Sequence, residues 1–203
     1  MPGSVVYRSA PLYEAVMLLL YGRHYSARYK AIASLIEPNS SVLDLCCGPA
    51  VLYRRYLRQK SVRYTGLDVS EHFIQGLKVS GATGQVWDLQ SDKELPHADY
   101  VVMQASLMHF LPDARPVIDR MLRAASKQVI VAEPVRNLTS SKSPLVAAVS
   151  RRLTDPGNGH SAHRFNEQSL SHFFDPYSSR VVRAFSIPGG REMVYLLKPD
   201  APE

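Results

Sequence analysis

Three aspartates, Asp44, Asp68 and Asp88, each close a short apolar run, and a turn or helix signal follows each. An ionised carboxylate is an acceptor-only group that can take two hydroxyls or an amine. Between the first two lies Cys46-Cys47-Gly48-Pro49-Ala50, a small-residue turn that lets a ligand approach the backbone, and the helix start beyond it offers free N–H groups. Farther along, His109 carries a ring suited to proton transfer near neutral pH, or to a structural role in its apolar context. Glu133 ends another apolar run. His160-x-x-His163, with His172 beyond, gathers imidazoles without an aligning helix or a Cys or acidic partner, so no metal is expected. His160 is instead a catalytic candidate and His163 a substrate contact.

The elements that must position these groups alternate between strand and helix patterns. Val42–Leu45 reads as a first strand, 51–59 as a helix, and Val62–Leu67 as a second strand ending at Asp68. Ser70 caps a helix over 71–79. Gly81–Gly84 reads as a turn, and Gln85–Trp87 as a short third strand. The continuous apolar run 98–104 predicts a buried parallel strand ending at Gln104. A helix from Pro112 to Ala125 and a strand from Lys127 to Ala132 follow. Asn166 caps a helix over 167–174, and two β-rich runs, 180–187 and 191–198, flank the hairpin signal Pro188-Gly189-Gly190.

Two segments fall outside this alternation. Upstream, Tyr13, Met17, Tyr21, Tyr25 and Tyr29 recur every fourth position and make one broad helical face. It packs on the sheet, or Tyr21 and Tyr25 roof a binding site, where aromatic faces attract a cation. Arg23, His24 and Arg28 lie between them, facing solvent or an anionic substrate. Residues 135–166, with a helix-like piece at 145–153, read as an insertion that shapes specificity.

The chain has 203 residues, 45% hydrophobic and 21% charged, which fits one soluble domain, 1–203, with a full core. No segment has the length to span a bilayer, and no leader pattern opens the chain, so a cytoplasmic protein with no membrane partner is expected. The two cysteines, Cys46 and Cys47, are adjacent and cannot form an ordinary structural disulfide. A net charge of +6 raises the question of nucleic acid, but the basic residues are scattered, with small clusters at Arg54, Arg55 and Arg58 and at Arg151 and Arg152.

The stretch SVLDLCCGPAVL does not match the G-x-G-x-x-G of nicotinamide-binding domains. It resembles motif I of the class I S-adenosylmethionine-dependent methyltransferases, a strand followed by D-x-G-x-G-x-G, with Cys46, Gly48 and Ala50 at the glycine positions. Cys at the first position implies that this residue avoids strongly positive φ. The resemblance covers residues 40–198. It implies a three-layer α/β/α sandwich with a seven-stranded, mostly parallel sheet ending in an antiparallel C-terminal hairpin. A dinucleotide-binding domain would explain Asp68 but not Asp88 or the hairpin.

The same resemblance implies S-adenosyl-L-methionine as cofactor and S-adenosyl-L-homocysteine as product. Asp44 then orients the methionyl amino group, and the turn Cys46–Ala50 lies against the methionyl part. Asp68 binds the ribose hydroxyls with Val69 beside it, while Asp88, Leu89 and Trp87 hold the adenine. Gln104 becomes a cofactor contact, and His109 and Glu133 face the acceptor as catalytic candidates. Residues 1–40 become an N-terminal helical lid and 135–166 the acceptor-site insertion. A small-molecule acceptor is expected, because the nucleic-acid signatures are missing: the chain after the fourth strand reads Gln104-Ala105-Ser106-Leu107, not Asn/Asp-Pro-Pro-Tyr/Phe, and no catalytic Pro-Cys pair occurs. The other readings are a protein that binds the cofactor without catalysis and, behind it, a nucleic-acid methyltransferase suggested by the net charge.

Overall fold

A computed structural model describes residue 18 and residues 22–136 and 164–200. Seven strands form one sheet in the order β3-β2-β1-β4-β5-β7-β6. They are β1 (Ser41–Leu45), β2 (Arg63–Asp68), β3 (Thr83–Val86), β4 (Ala98–Gln104), β5 (Ala125–Pro134), β6 (Val181–Ser186) and β7 (Glu192–Leu197). Strands β1 to β5 run parallel, and β7 pairs antiparallel with both β5 and β6. The order reverses between β1 and β4, and an open α/β sheet opens its ligand crevice at the carboxyl ends of the strands beside such a reversal.

Alternation along the strands divides the core into two. Leu43, Leu45, Val101, Met103, Val129 and Val131 face one side of the sheet, where α3 (Arg115–Ala124) and α4 (Glu167–Phe174) pack. Val42, Val102, Ile130 and Ala132 face the other, beneath α1 (Tyr25–Ala33) and, through Leu77, α2 (Glu71–Val79). The capping residues explain where the helices start. Ser70 Oγ accepts the Phe73 N–H ahead of α2, and Asn166 exchanges bonds with Ser169 at the head of α4, its Oδ1 accepting at 2.8 Å and its N–H donating at 2.9 Å. At the other pole of α1, Lys60 Nζ donates to the carbonyls of Ala33 and Ile36, a cation where the helix leaves carbonyls free.

Several boundaries differ from the sequence reading. The third strand starts at Thr83, inside the segment read as a turn, and leaves Trp87 beyond its end. Gly84 belongs in that strand because α2 crosses it closely: a Cβ there would stand 3.2 Å from Ile74. The helix expected over 51–59 is mostly a π-helical turn, Tyr53–Leu57, closed by the Arg58 N–H donating to the Tyr53 carbonyl. The helix expected from Pro112 starts at Arg115, after a 3-10 turn over Leu107–Phe110.

The aromatic face upstream becomes core where it is described. Tyr25 is 2% exposed and sits edge-on against Tyr29, with ring centroids 5.3 Å apart. Arg28, expected at a solvent or substrate face, is buried and pairs with Glu192 of β7 at 2.9 Å. Tyr21 and the helix-like piece at 145–153 lie outside the described residues. Among the described residues no helix is long and apolar enough to cross a membrane.

Candidate functional site

The carboxyl ends of β1 and β4 carry an unusual amount of left-handed backbone. Cys46, Gly48 and Ala50 have φ of 54°, 53° and 53°, and Ala105, just past β4, has φ of 50°. The expectation that Cys46 would avoid positive φ is therefore corrected. The three glycine positions of the motif are the three left-handed positions of the turn, and this chain fills two of them with side-chain residues. Each such residue costs about 1–2 kcal/mol of backbone strain, a cost that persists where surrounding structure enforces it and that clusters at functional sites.

What enforces it here is visible. The Cys47 N–H donates to the Leu67 carbonyl at 3.1 Å, extending the β1–β2 ladder by one rung. Asp68 then clamps the turn: its Oδ2 accepts the Gly48 N–H at 2.8 Å, and its Oδ1 accepts the Ser70 N–H at 2.8 Å. Burial raises the Asp68 pKa, and those two N–H groups pull it back down. Each oxygen keeps a lone pair for a further donor. Gly48 faces open space, with nothing within 4 Å of where a Cβ would be.

Asp44, at the end of β1, is buried and accepts the Tyr64 hydroxyl at 2.5 Å. Burial pushes its pKa up to about 7, against the stabilising Tyr64 bond and with a small push from Asp68. Tyr64 was not singled out by the sequence. The available signal was its parity with Gly66, which pairs in register with Asp44: a buried tyrosine hydroxyl needs a partner, and glycine leaves the space between open. A Cβ on Gly66 would come within 2.8 Å of Cys47 Sγ.

Across the same edge, Gln104 Nε2 and Trp87 Nε1 are buried without a hydrogen-bond partner among the described residues. Such donors cost about 1–3 kcal/mol when left unmade. Trp87 leans on the core, holds its backbone N–H to the Asp68 carbonyl at 3.0 Å, and has Lys93 Nζ 5.8 Å from its ring centroid. Val69 is 68% exposed beside Asp68, an apolar residue at the lip of the edge. Asp88 is exposed and accepts the Gln90 N–H, and Leu89 is buried, its carbonyl taking a bond from Arg120.

The acceptor-side candidates divide. His109 stands exposed on the 3-10 turn after β4, where desolvation, followed by the positive charge of Arg164, holds its pKa below the ordinary imidazole value. Glu133 is fully enclosed. Its Oε1 accepts the Leu107 N–H at 2.6 Å, and its Oε2 has no hydrogen-bond partner among the described residues. Burial raises its pKa to about 8, so at neutral pH it is mostly the neutral acid and holds the β4 loop. Tyr25, in the core, has no exposed face for an acceptor. His160, His163 and Tyr21 lie outside the described residues, and His172 is exposed with its Nδ1 2.9 Å from Asp175. Among the described residues no group of three metal-ligating side chains gathers.

The comparisons with known proteins agree with this architecture. A family model described as methionine biosynthesis protein MetW matches residues 26–142. A chain of the Haloferax volcanii complex between the Trm112 methyltransferase activator and a methyltransferase superposes with a TM-score of 0.68 at 14% identity, covering 98% of this chain and 100% of that one. Magnesium protoporphyrin IX methyltransferase from Synechocystis PCC 6803, with bound S-adenosylhomocysteine, gives 0.64 at 15% identity, with 95% and 96% covered. A TehB-like methyltransferase from Corynebacterium glutamicum gives 0.52 at 15% identity, with 86% and 88% covered. No curated protein sequence matches the chain. The fold is that of the class I S-adenosylmethionine-dependent methyltransferases.

Proposed function

The chain belongs to the MetW family of methionine biosynthesis proteins, matched over residues 26–142, and from that membership and the sheet edge described above we propose that it is an S-adenosylmethionine-dependent methyltransferase acting on a small molecule. The observation that carries the reading is the turn Cys46–Ala50. A plain strand-to-helix connection has no need of three left-handed residues in alternation, two of them strained. A turn built to bring backbone against a ligand does.

The residues present fit the cofactor. The buried amide of Gln104 and indole N–H of Trp87, without a partner among the described residues, offer donors at the same edge, Gly48 leaves room above it, and Asp68 retains acceptor capacity for a ribose. Asp44, its pKa pushed up to about 7 by burial and its carboxylate steadied by Tyr64, would orient the amino group. Val69, Asp88 and Leu89 would flank the adenine. When bound, the cofactor supplies a methyl group on a sulfonium, already activated for in-line displacement. The protein's share is positioning and exclusion of water, with a base only where the acceptor carries a proton. His109 would be that base, since its lowered pKa keeps the ring neutral at pH 7.

The reading takes the chain as one domain, with 1–40 as an N-terminal lid whose helix α1 is anchored in the core and 135–166 as the acceptor-site insertion. A second reading, binding without turnover, draws on one observation: Glu133, one of the catalytic candidates, is fully enclosed and cannot meet an acceptor. Calorimetric titration with S-adenosylmethionine and S-adenosylhomocysteine tests both. Micromolar binding of each, followed by methyl transfer from labelled cofactor to a small-molecule pool, is the expected result. Binding without transfer to any pool favours the second reading, and no binding overturns both.

A further inference from the structure

A cleft of about 460 Å³ lies between the π-helical turn Tyr53–Leu57 and the last turn of α2. Both walls run back toward the starts of β2 and β3, at Arg63 and Thr83, so the cleft belongs to the amino pole of the strands, opposite the Cys46–Ala50 turn. Its lining is Arg54, Arg55 and Arg58 on one side and Gly76, Val79 and Ser80 on the other, with no carboxylate among these residues. Arg55 is engaged in an interaction of its own, so the cations the cleft offers are Arg54 and Arg58, both exposed. Arg63, Arg123, Arg136 and Arg180 each stand within 4.0 Å of a carboxylate; among the described residues no carboxylate pairs with Arg54 or Arg58. The carbonyls that end α2 do not call for them either. The Ser80 N–H donates to the Gly76 and Leu77 carbonyls, Ser80 Oγ to the Leu77 carbonyl at 2.6 Å, and the Gly81 N–H to the Lys78 carbonyl at 3.0 Å. Gly76 is a second, independent observation. It sits inside α2 without a positive φ, and nothing lies within 4 Å of where its Cβ would be. Neither backbone nor packing requires glycine there, and glycine weakens a helix interior. What it provides is a bare cleft floor on which a ligand reaches the backbone.

We propose that this cleft binds a small organic phosphate, its phosphate held by Arg54 and Arg58 and its carbon body lying over Gly76 against Val79. A phosphate monoester carries about two negative charges and three acceptor oxygens, enough for two guanidinium forks, whereas one arginine already fills a carboxylate. Val79 is 89% exposed and gives the carbon body an apolar lip. The volume suits one small molecule. Ser80 Oγ, whose proton is committed to Leu77, keeps lone pairs for a ligand hydroxyl. Lying at the opposite pole from the Cys46–Ala50 turn, this ligand is not the methyl acceptor, and the site stands or falls apart from the methyltransferase reading.

Calorimetry and amide-resolved NMR with phenyl phosphate, benzoate and inorganic phosphate test this. The proteins are wild type, the double variant Arg54→Gln with Arg58→Gln, Gly76→Ala, and Arg123→Gln with Arg183→Gln as a matched loss of two exposed arginines elsewhere. Phenyl phosphate is expected to bind wild type and the matched control alike, and to bind the Arg54→Gln, Arg58→Gln protein about tenfold or more weakly. Gly76→Ala should also bind it more weakly, although its melting temperature rises because alanine is the better helix former. Amide shifts on binding should fall within 54–58 and 76–80. The proposal falls if either the Arg54→Gln, Arg58→Gln protein or Gly76→Ala binds phenyl phosphate like wild type. It falls if benzoate binds as tightly, or if inorganic phosphate does, which would leave a simple anion site. It falls too if a short single-stranded oligonucleotide displaces phenyl phosphate from wild type, since a polymer backbone would then be the occupant.

Discussion

Asp68 Oδ2 accepts the Gly48 N–H at 2.8 Å, so the acidic end of β2 fastens the turn that follows β1. The same carboxylate is proposed to meet a ribose, and the two roles separate by substitution. Asp68→Ala strips a charge-assisted acceptor from both Gly48 and Ser70 and is expected to cost about 1–3 kcal/mol of stability. Asp68→Asn keeps one acceptor oxygen and should restore part of it. Both should weaken S-adenosylhomocysteine binding at least tenfold by calorimetry; unchanged affinity in either would remove the ribose assignment.

Gly48 and Cys46 share a left-handed backbone but differ in side chain. Gly48→Ala adds a methyl into open space, so its expected cost of about 1 kcal/mol is backbone strain alone. Cys46→Gly relieves the same strain and should not lower the denaturant midpoint. A neutral Gly48→Ala would mean that the turn relaxes freely.

The Glu133 acid gives a pH signature. Its pKa rises from an ordinary carboxylate value to about 8 on folding, so the folded state holds the proton longer than the unfolded chain does. Stability from this group is complete below about pH 4 and is lost progressively as pH rises to about 8. Asp44 adds a loss of the same sign that ends near pH 7. Glu133→Gln still accepts the Leu107 N–H and cannot ionise. Its melting temperature should fall less than that of wild type between pH 5 and pH 8, and parallel curves would show that Glu133 does not titrate in that range.

Arg28 and Glu192 form an ion pair that is 3% and 2% exposed. Arg28→Met leaves a buried carboxylate uncompensated and is expected to cost about 3–5 kcal/mol in urea unfolding. The double substitution Arg28→Met with Glu192→Met should recover much of that. A single-variant cost below about 1 kcal/mol would place the pair in contact with water.

His109 should titrate below the ordinary imidazole range in NMR, and Arg164→Gln should raise its pKa part of the way, since desolvation is the larger cause. A shift in the opposite direction would separate Arg164 from the ring.

Much of this architecture is written in local pattern. The run 98–104 became β4, because a strand buried on both faces needs a nearly continuous apolar stretch, and the shorter runs at Val42–Leu45 and Val62–Leu67 became β1 and β2. Ser70 and Asn166 cap the helices read from them, since capping is decided within four residues. What stayed hidden depends on distance or on backbone. Nothing near Arg28 announces a partner on β7. Glu133 closes an apolar run as a catalytic residue would, and only the packed sheet reveals that it is enclosed. Positive φ is legible through glycine, so Cys46 and Ala50 concealed it. Thr83 and Gly84 look like a turn until α2 lies across them.

The π-helical turn at Tyr53–Leu57 sets which side chains of the first crossover reach the sheet. A turn closed by the Arg58 N–H on the Tyr53 carbonyl holds one residue more than an α-helical turn. The added residue swings everything after it by about 100° around the helix axis relative to a regular α-helix. With that swing Tyr53 and Leu57 are both buried, while Arg54, Arg55 and Arg58 stay exposed as one basic cluster.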